Sequence, residues 1–382
     1  MRRIGIDAVS AGAALGATRG GMHVYFQEIL GRLCAAAPDL EFVLLEGRGV
    51  GQAAANGASN FRRVRCAGVP ASRVARVLYE QVLYPHVVER ERLDLFVGTC
   101  NVLPLRLRRP AVVIVQSLQF FTHPETYSSL RRAYLRWLVR RSVRQARRVI
   151  CVSETAKRHL VARTGVASEK VAVIYHGVSP LFRPNGNGSG LAQTGGAPYV
   201  LAISALYAFK NFARTIEAFA RAKQAACLPH KLLVVGSDGD VTRDELRAVA
   251  RAAGVDDAVI FLGGLPHDRV PELYAHADLL AFPSLYETFG QPLVEAMASG
   301  CPVLTSGVSC MPEIGGDAAE LVDPRSVSAI AAGMLRVLTD PARARGMRLA
   351  GLARARCFSW DRSARETLAV LREALAEGRP HA

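Results

Sequence analysis

The chain has 382 residues, half of them hydrophobic and 21% charged, which excludes a disordered or collagen-like protein and allows two or three cored domains without disulfides or metals. Its formal charge of +15 is uneven: residues 1–182 carry 27 Lys and Arg against 12 Asp and Glu, whereas residues 183–382 carry 21 of each. No run reaches the roughly 18 apolar residues of a membrane span, and Asp7 interrupts the apolar N-terminal run, so neither a transmembrane helix nor a signal peptide is expected.

Apolar runs alternate with helix-like segments along the chain. Arg3-Ile4-Gly5-Ile6-Asp7 predicts a first strand, and residues 22–37 a helix with Val24, Ile29, Leu30 and Leu33 on one side. Glu41-Phe42-Val43-Leu44-Leu45, Leu93-Asp94-Leu95-Phe96-Val97, Ala111-Val112-Val113-Ile114-Val115, Val149-Ile150-Cys151-Val152-Ser153 and Val171-Ala172-Val173-Ile174 predict further strands. Short, nearly all-apolar strands separated by helices imply parallel strands covered on both faces, the doubly wound α/β architecture. A Gly-, Asn- and Ser-rich stretch at 183–198 reads as a linker. The pattern then restarts with strands at 199–203, 231–236, 259–263, 279–283 and 301–305, and ends in a helical stretch at 359–376. The expected organisation is a first domain at 1–182, the linker, a second domain at 199–358 and a C-terminal helix and tail at 359–382, with a ligand in the cleft between the domains.

The most informative segment runs from Pro283 to Val303. It leaves a strand at Pro283, turns through Gly290, enters a helix near Pro292 and returns to a strand after Pro302. The helix N-terminus offers N–H groups to an anion. Glu287 before the helix and Glu295 one turn inside it face the same mouth, and ionised carboxylates accept hydrogen bonds from hydroxyls. Phosphate and sugar chemistry on one ligand would use both features.

This block resembles the E-x7-E signature of glycosyltransferase family 4, the retaining nucleotide-sugar enzymes of GT-B fold. Met311-Pro312-Glu313-Ile314-Gly315-Gly316-Asp317-Ala318, Phe358-Ser359-Trp360, residues 205–211, Gly20-Gly21-Met22-His23-Val24-Tyr25, Val149-Ile150-Cys151-Val152-Ser153-Glu154 and Ile174-Tyr175-His176-Gly177-Val178 are similar to further blocks of that family. The resemblance implies two Rossmann-like domains facing a cleft, with the C-terminal helix crossing back. It implies that Lys210 and Glu287 are catalytic. Lys210 would hold the donor diphosphate as the glycosidic bond breaks, and Glu287 would sit beside the transferred sugar. Glu295 would bind the ribose hydroxyls, the main-chain N–H groups of Phe289 and Gly290 the sugar or phosphate, and the loop at Gly21 would close on the phosphates. Two positions depart from the pattern. Ser204 stands where the family often has a diphosphate-binding arginine and remains a donor-side candidate. Gln116-Ser117 stand where it often has His-Asp, so Gln116 is an acceptor-side candidate that hydrogen-bonds a hydroxyl without proton chemistry.

Competing features are weaker. Asp238-Gly239-Asp240 matches a D-x-D metal pattern but follows a strand as a turn would. Gly186, Gly188 and Gly190 lack the preceding strand of a dinucleotide fingerprint. His123 and His176 are expected in loop or core roles. The eight cysteines show no C-x-x-C spacing and are expected as buried free thiols. Arg132, Arg136, Arg140, Arg144 and Arg148 recur every four residues and are expected to form one row on a helix, with Leu130, Tyr134, Trp137 and Leu138 on its core side. Such a row would face an anionic membrane surface.

The combined expectation is a retaining enzyme moving a hexose or deoxyhexose of mannosyl, rhamnosyl or glucosyl type from a nucleotide sugar to a hydroxyl of a glycan or glycolipid. Its setting would be bacterial surface polysaccharide assembly, in the cytoplasm and peripheral on the inner membrane face. No cofactor, metal or nucleic acid is expected. The rival readings are another GT-B enzyme, an epimerase or phosphorylase, or a non-catalytic membrane- or polyanion-binding protein on a degenerate transferase scaffold.

Overall fold

The computed structural model describes residues 1–10, 21–47, 57–70, 72–184 and 192–377. The chain divides into two compact units, Met1–Gly177 with Trp360–Ala382, and Val178–Ser359. Each is built on one parallel sheet. In the first unit, β1 (Arg2–Asp7), β2 (Leu40–Glu46), β3 (Phe61–Arg65), β4 (Leu95–Gly98), β5 (Ala111–Val115), β6 (Arg148–Cys151) and β7 (Val171–Val173) lie in the order β3-β2-β1-β4-β5-β6-β7. In the second, β8 (Tyr199–Ile203), β9 (Lys231–Val235), β10 (Val259–Gly263), β11 (Leu279–Phe282), β12 (Val303–Ser306) and β13 (Ala319–Val322) lie in the order β10-β9-β8-β11-β12-β13. Every residue of the inner strands β5 and β11 is buried, as strands covered on both faces require. Winding reverses between β1 and β4 and between β8 and β11, and ligands of such sheets bind beyond the strand carboxyl ends at that reversal.

Two edge strands lie outside the apolar runs seen in the sequence. β3 reads Phe-Arg-Arg-Val-Arg, so its arginines mask any strand pattern. Those arginines find carboxylates: Arg62 donates to Glu41 at 3.2 Å and Glu91 at 2.8 Å, and Arg63 to Glu46 at 2.6 Å. β13 is a four-residue strand interrupted by the buried Glu320, which is clamped by Arg336 and Arg343. An edge strand covers less core than a central one, so its sequence carries less apolar signal.

The core of the first unit joins β1, β2 and β4 to the helices Gly21–Ala36 and Trp360–Ala376. Trp360 stacks on His176 at 5.4 Å and meets Tyr25 edge-on at 6.0 Å, which anchors the start of the last helix. The chain therefore returns to its first unit after completing the second. Within the linker segment, residues 185–191 lie outside the described residues and Ala192–Thr194 form a single 3-10 turn.

Three expectations are corrected. The arginine row is not one helix face. The helix Ser129–Gln145 carries Arg132, Arg136, Arg140 and Arg144, but Arg148 lies in β6 and pairs with Glu373 and Glu377. Leu130 and Trp137 are not core residues: they are 87% and 51% exposed, and the buried face is Leu138, Val139, Ser142 and Val143. Four-residue steps drift by about 40° around a 3.6-residue helix, so the arginines from 132 to 144 fan out over about 120°, while Leu130, Tyr134 and Trp137 share a side that is not the buried one. The cysteines are free, but Cys227 and Cys357 are exposed rather than buried. Among the described residues, no helix is long and apolar enough to cross a membrane.

Candidate active site

The second unit brings its key residues to the reversal between β8 and β11. The chain leaves β8 at Ser204 and makes a single 3-10 turn, Ala208–Lys210. Asn211 then adopts φ 67°, and the helix Phe212–Ala226 begins. Left-handed backbone is tolerated best by Gly and Asn. Here the buried Asn211 side chain has a second task. Its amide donates to the carbonyls of Pro283 at 2.9 Å and Pro324 at 2.7 Å. The main-chain N–H of Leu285 donates to the Phe209 carbonyl at 2.8 Å. The loop holding Lys210 is thus stitched to the loop leaving β11.

That second loop runs from Pro283 to Gly290 and is buried almost throughout. Glu287 is fixed by its backbone: its N–H donates to Ser309 Oγ at 3.2 Å, and the Ser309 hydroxyl donates back to its carbonyl. Gly290 has φ 84°, a conformation that selects glycine, and a Cβ there would lie 3.1 Å from Met311 Cε, so Met311 would also have to shift. The helix Gln291–Ala298 follows with Pro292 in its first turn.

Lys210 and Glu287, 77 residues apart, meet in a direct ion pair with both side chains nearly buried. The ammonium also lies 5.3 Å from the ring centroids of Phe209 and Phe282, whose π faces favour a cation. Glu295 is buried one turn into the helix and has a separate partner, the Tyr274 hydroxyl, which donates to Oε2 at 3.0 Å. Burial pushes the Glu295 carboxyl up to about 8, partly offset by hydrogen bonds from Tyr274 and Gln291. Tyr274 is backed by Phe182 at 5.8 Å, ring edge to face. Phe289 is buried and packs edge-on against Phe358 at 5.7 Å.

Ser204 lies at the carboxyl end of β8, its N–H bonded to Val235 at 3.0 Å. The close approach of Gly236 braces its carbonyl, for a Cβ on Gly236 would fall 1.7 Å away. Asp238 and Asp240 serve the neighbouring loops: Asp238 accepts from the main chain and side chain of Arg243 at 3.2 Å, and Asp240 from the Ala208 N–H at 2.8 Å. The remaining candidates belong to the first unit. Gln116 follows β5, where its N–H donates to Asn101 Oδ1 at 2.7 Å. Gly21 opens the helix Gly21–Ala36, and the preceding loop lies outside the described residues. Asn211, Ser309 and Tyr274 escaped the sequence reading. Only Asn211 had a signal, an αL-prone residue directly after Lys210 and before a helix.

Two family descriptions match the chain, Glycosyltransferase Family 4 at residues 19–180 and Glycosyl transferases group 1 at residues 190–353. The O-antigen chain mannosyltransferase B of Escherichia coli is 28% identical over 271 residues, 70% of this chain and 71% of that protein. The O-antigen chain mannosyltransferase RfbU of Salmonella typhimurium is 28% identical over 218 residues, 57% of this chain and 58% of that protein. In fold, the sucrose-phosphate synthase of Thermosynechococcus elongatus superposes with a TM-score of 0.81 at 20% identity, covering 99% of this chain and 100% of that one. With one family description on each half and two Rossmann-like units of the GT-B kind, the chain belongs to the family 4, group 1 glycosyltransferases.

Proposed function

We propose that the protein transfers a hexose or deoxyhexose from a nucleoside diphosphate sugar to a hydroxyl of a glycan or glycolipid, with retention of anomeric configuration. The observation that carries this reading is the meeting of Lys210 and Glu287 at the strand reversal of the second unit. A donor diphosphate would take the place of the Glu287 carboxylate on Lys210, whose fixed charge stabilises the departing nucleotide. Glu287, released from that pair, accepts hydrogen bonds from hydroxyls of the transferred sugar. Glu295 with Tyr274 holds the ribose, and the backbone around Gly290 admits close approach of the sugar or phosphate. The bond from the anomeric carbon to the phosphate oxygen breaks and one to the acceptor oxygen forms on the same face. The departing phosphate removes the acceptor proton, so no protein nucleophile is required.

On this reading the second unit holds the donor and the first unit the acceptor, with Gln116 as a hydrogen-bonding residue. The mannosyltransferase names of the O-antigen relatives favour a mannosyl-type donor and surface polysaccharide as the product. No metal is required, because Lys210 carries the charge that a cation would otherwise supply.

The test is a panel of UDP, GDP, dTDP and ADP sugars with hydroxyl acceptors, the product read by NMR at its anomeric centre. One donor should give a glycoside with the donor's own configuration. An inverted product would refute retention. A changed sugar nucleotide formed without acceptor would identify an epimerase instead.

A further inference from the structure

Apart from Met1, the exposed large apolar side chains among the described residues of the first unit lie on two helices or at the end of one. Leu78 and Val82 lie one turn apart on the helix Arg73–Val82, and Leu83 follows at its end. Leu130 and Trp137 share a stripe with Tyr134 on the helix Ser129–Gln145. Tyr134 joins the two sets, for its hydroxyl is hydrogen-bonded to Gln81 and its ring lies 6.5 Å from Trp137.

Uncompensated positive charge borders this apolar face. Arg132, Arg136, Arg140, Arg141 and Arg144 have no carboxylate partner among the described residues. Arg136 and Arg140 are instead tied to main-chain carbonyls of Phe120 at 3.0 Å and Arg163 at 3.1 Å, which fixes them in place without neutralising them. Arg141 lies one turn beyond Trp137 on the same stripe, with Arg140 and Arg144 on the adjoining side.

We propose that this face docks on an anionic lipid bilayer, with Leu78, Val82, Leu83 and Leu130 entering the headgroup–acyl boundary, Trp137 at the interface and the arginines on lipid phosphates. Exposed leucines beside a half-exposed Trp and arginines without carboxylate partners match a bilayer surface, which offers an apolar layer beneath negative charge. A nucleic acid offers the charge without the apolar layer. The inference redraws the surface expected from the arginine row, because the apolar stripe assigned to the core is its penetrating part. It does not depend on the transferase reading, since vesicle binding needs no donor.

The test is sedimentation of the full chain with phosphatidylglycerol–phosphatidylcholine vesicles and with phosphatidylcholine alone, alongside its intrinsic fluorescence. Trp137 and the buried Trp360 are the two tryptophans, so a blue shift on binding reports Trp137. The wild type should bind anionic vesicles at least tenfold more tightly than neutral ones, more weakly as salt rises, and with a blue shift. The triple variants Leu78→Gln/Leu83→Gln/Leu130→Gln and Arg140→Gln/Arg141→Gln/Arg144→Gln should each lose at least tenfold in vesicle affinity. Both should keep wild-type donor-nucleotide binding, which shows that they are folded. Arg221→Gln/Arg251→Gln/Arg345→Gln in the second unit removes the same charge and should bind as the wild type. Absence of wild-type binding, equal binding to neutral vesicles, binding that survives the leucine changes, or equal loss in the second-unit control would each overturn the proposal. Binding that ignores lipid charge but needs the leucines would overturn the role of the arginines and leave apolar insertion alone.

Discussion

Replacing Lys210 separates two consequences of its pair with Glu287. The two side chains are 13% and 9% exposed, so Lys210→Met leaves a carboxylate nearly buried without its cation. Breaking one partner of a buried pair costs about 3–5 kcal/mol, whereas removing both is often close to neutral. For a unit of this size the single change should lower the melting temperature on the order of 10 °C. Glu287→Gln should also destabilise, and the double variant Lys210→Met/Glu287→Gln should recover most of the loss, giving a coupling of about 2 kcal/mol or more. Turnover should not recover. Losing the charge on the departing diphosphate should slow transfer by about 2.7–4 kcal/mol of barrier, the scale for removing one preorganised donor, in the single and double variants alike. Urea denaturation of the four proteins gives the stability cycle, and initial transfer rates give the barrier. Additive stability losses would refute the pair, and near-normal turnover in the double variant would refute the role of Lys210.

Glu295 should make donor binding depend on pH. Its carboxyl is pushed up to about 8, so if the ribose is held by the ionised form, affinity should rise roughly tenfold per pH unit from 6 to 8 and then level, and Glu295→Gln should flatten the profile in calorimetric titrations. The stability linkage has the opposite sign: the folded protein keeps a proton that the unfolded chain releases above about 4.5, so the contribution of Glu295 is full below that value and is lost as pH rises through about 8. Glu295→Gln should therefore gain stability relative to wild type across that window, measured by urea midpoints at pH 5 and 8.5. Asn211→Ala should cost about 2–4 kcal/mol and slow transfer, because it strands the carbonyls of Pro283 and Pro324 and forces alanine to φ 67°. Asn211→Gly should cost less, since only the hydrogen bonds are lost, and equal denaturation midpoints for the two would contradict this. Transfer should survive EDTA, because Lys210 supplies the charge on the diphosphate; complete loss restored by manganese would reopen a metal role near Asp238 and Asp240.

The donor-side block was legible because it is contiguous. A strand end, a glycine turn, a helix start and two glutamates eight residues apart fall within one short stretch, so local chemistry and periodicity describe them together. The contact between Lys210 and Glu287 was not legible. It depends on β8 and β11 lying side by side, a fact of sheet order that no local pattern states. Ser309 was invisible for the same reason: it holds the backbone of Glu287 from the loop after β12. β3 was hidden because its arginines are satisfied by carboxylates of β2 and the helix end at Glu91. The stripe of Leu130, Tyr134 and Trp137 shows the limit of periodicity. Apolar spacing marks a face of the helix, but whether the protein or its surroundings cover that face is decided by packing.

The central claim is that the loops of residues 204–211 and 283–298 form the nucleotide-sugar site. Calorimetric titration of the preferred nucleoside diphosphate sugar into the wild type, Glu295→Gln and the stability-restored Lys210→Met/Glu287→Gln protein tests it most directly. The account predicts one-to-one binding in the wild type and at least tenfold weaker binding in both variants, with each variant folded by its denaturation curve. Undiminished affinity in both folded variants would contradict it and place the donor elsewhere on the chain.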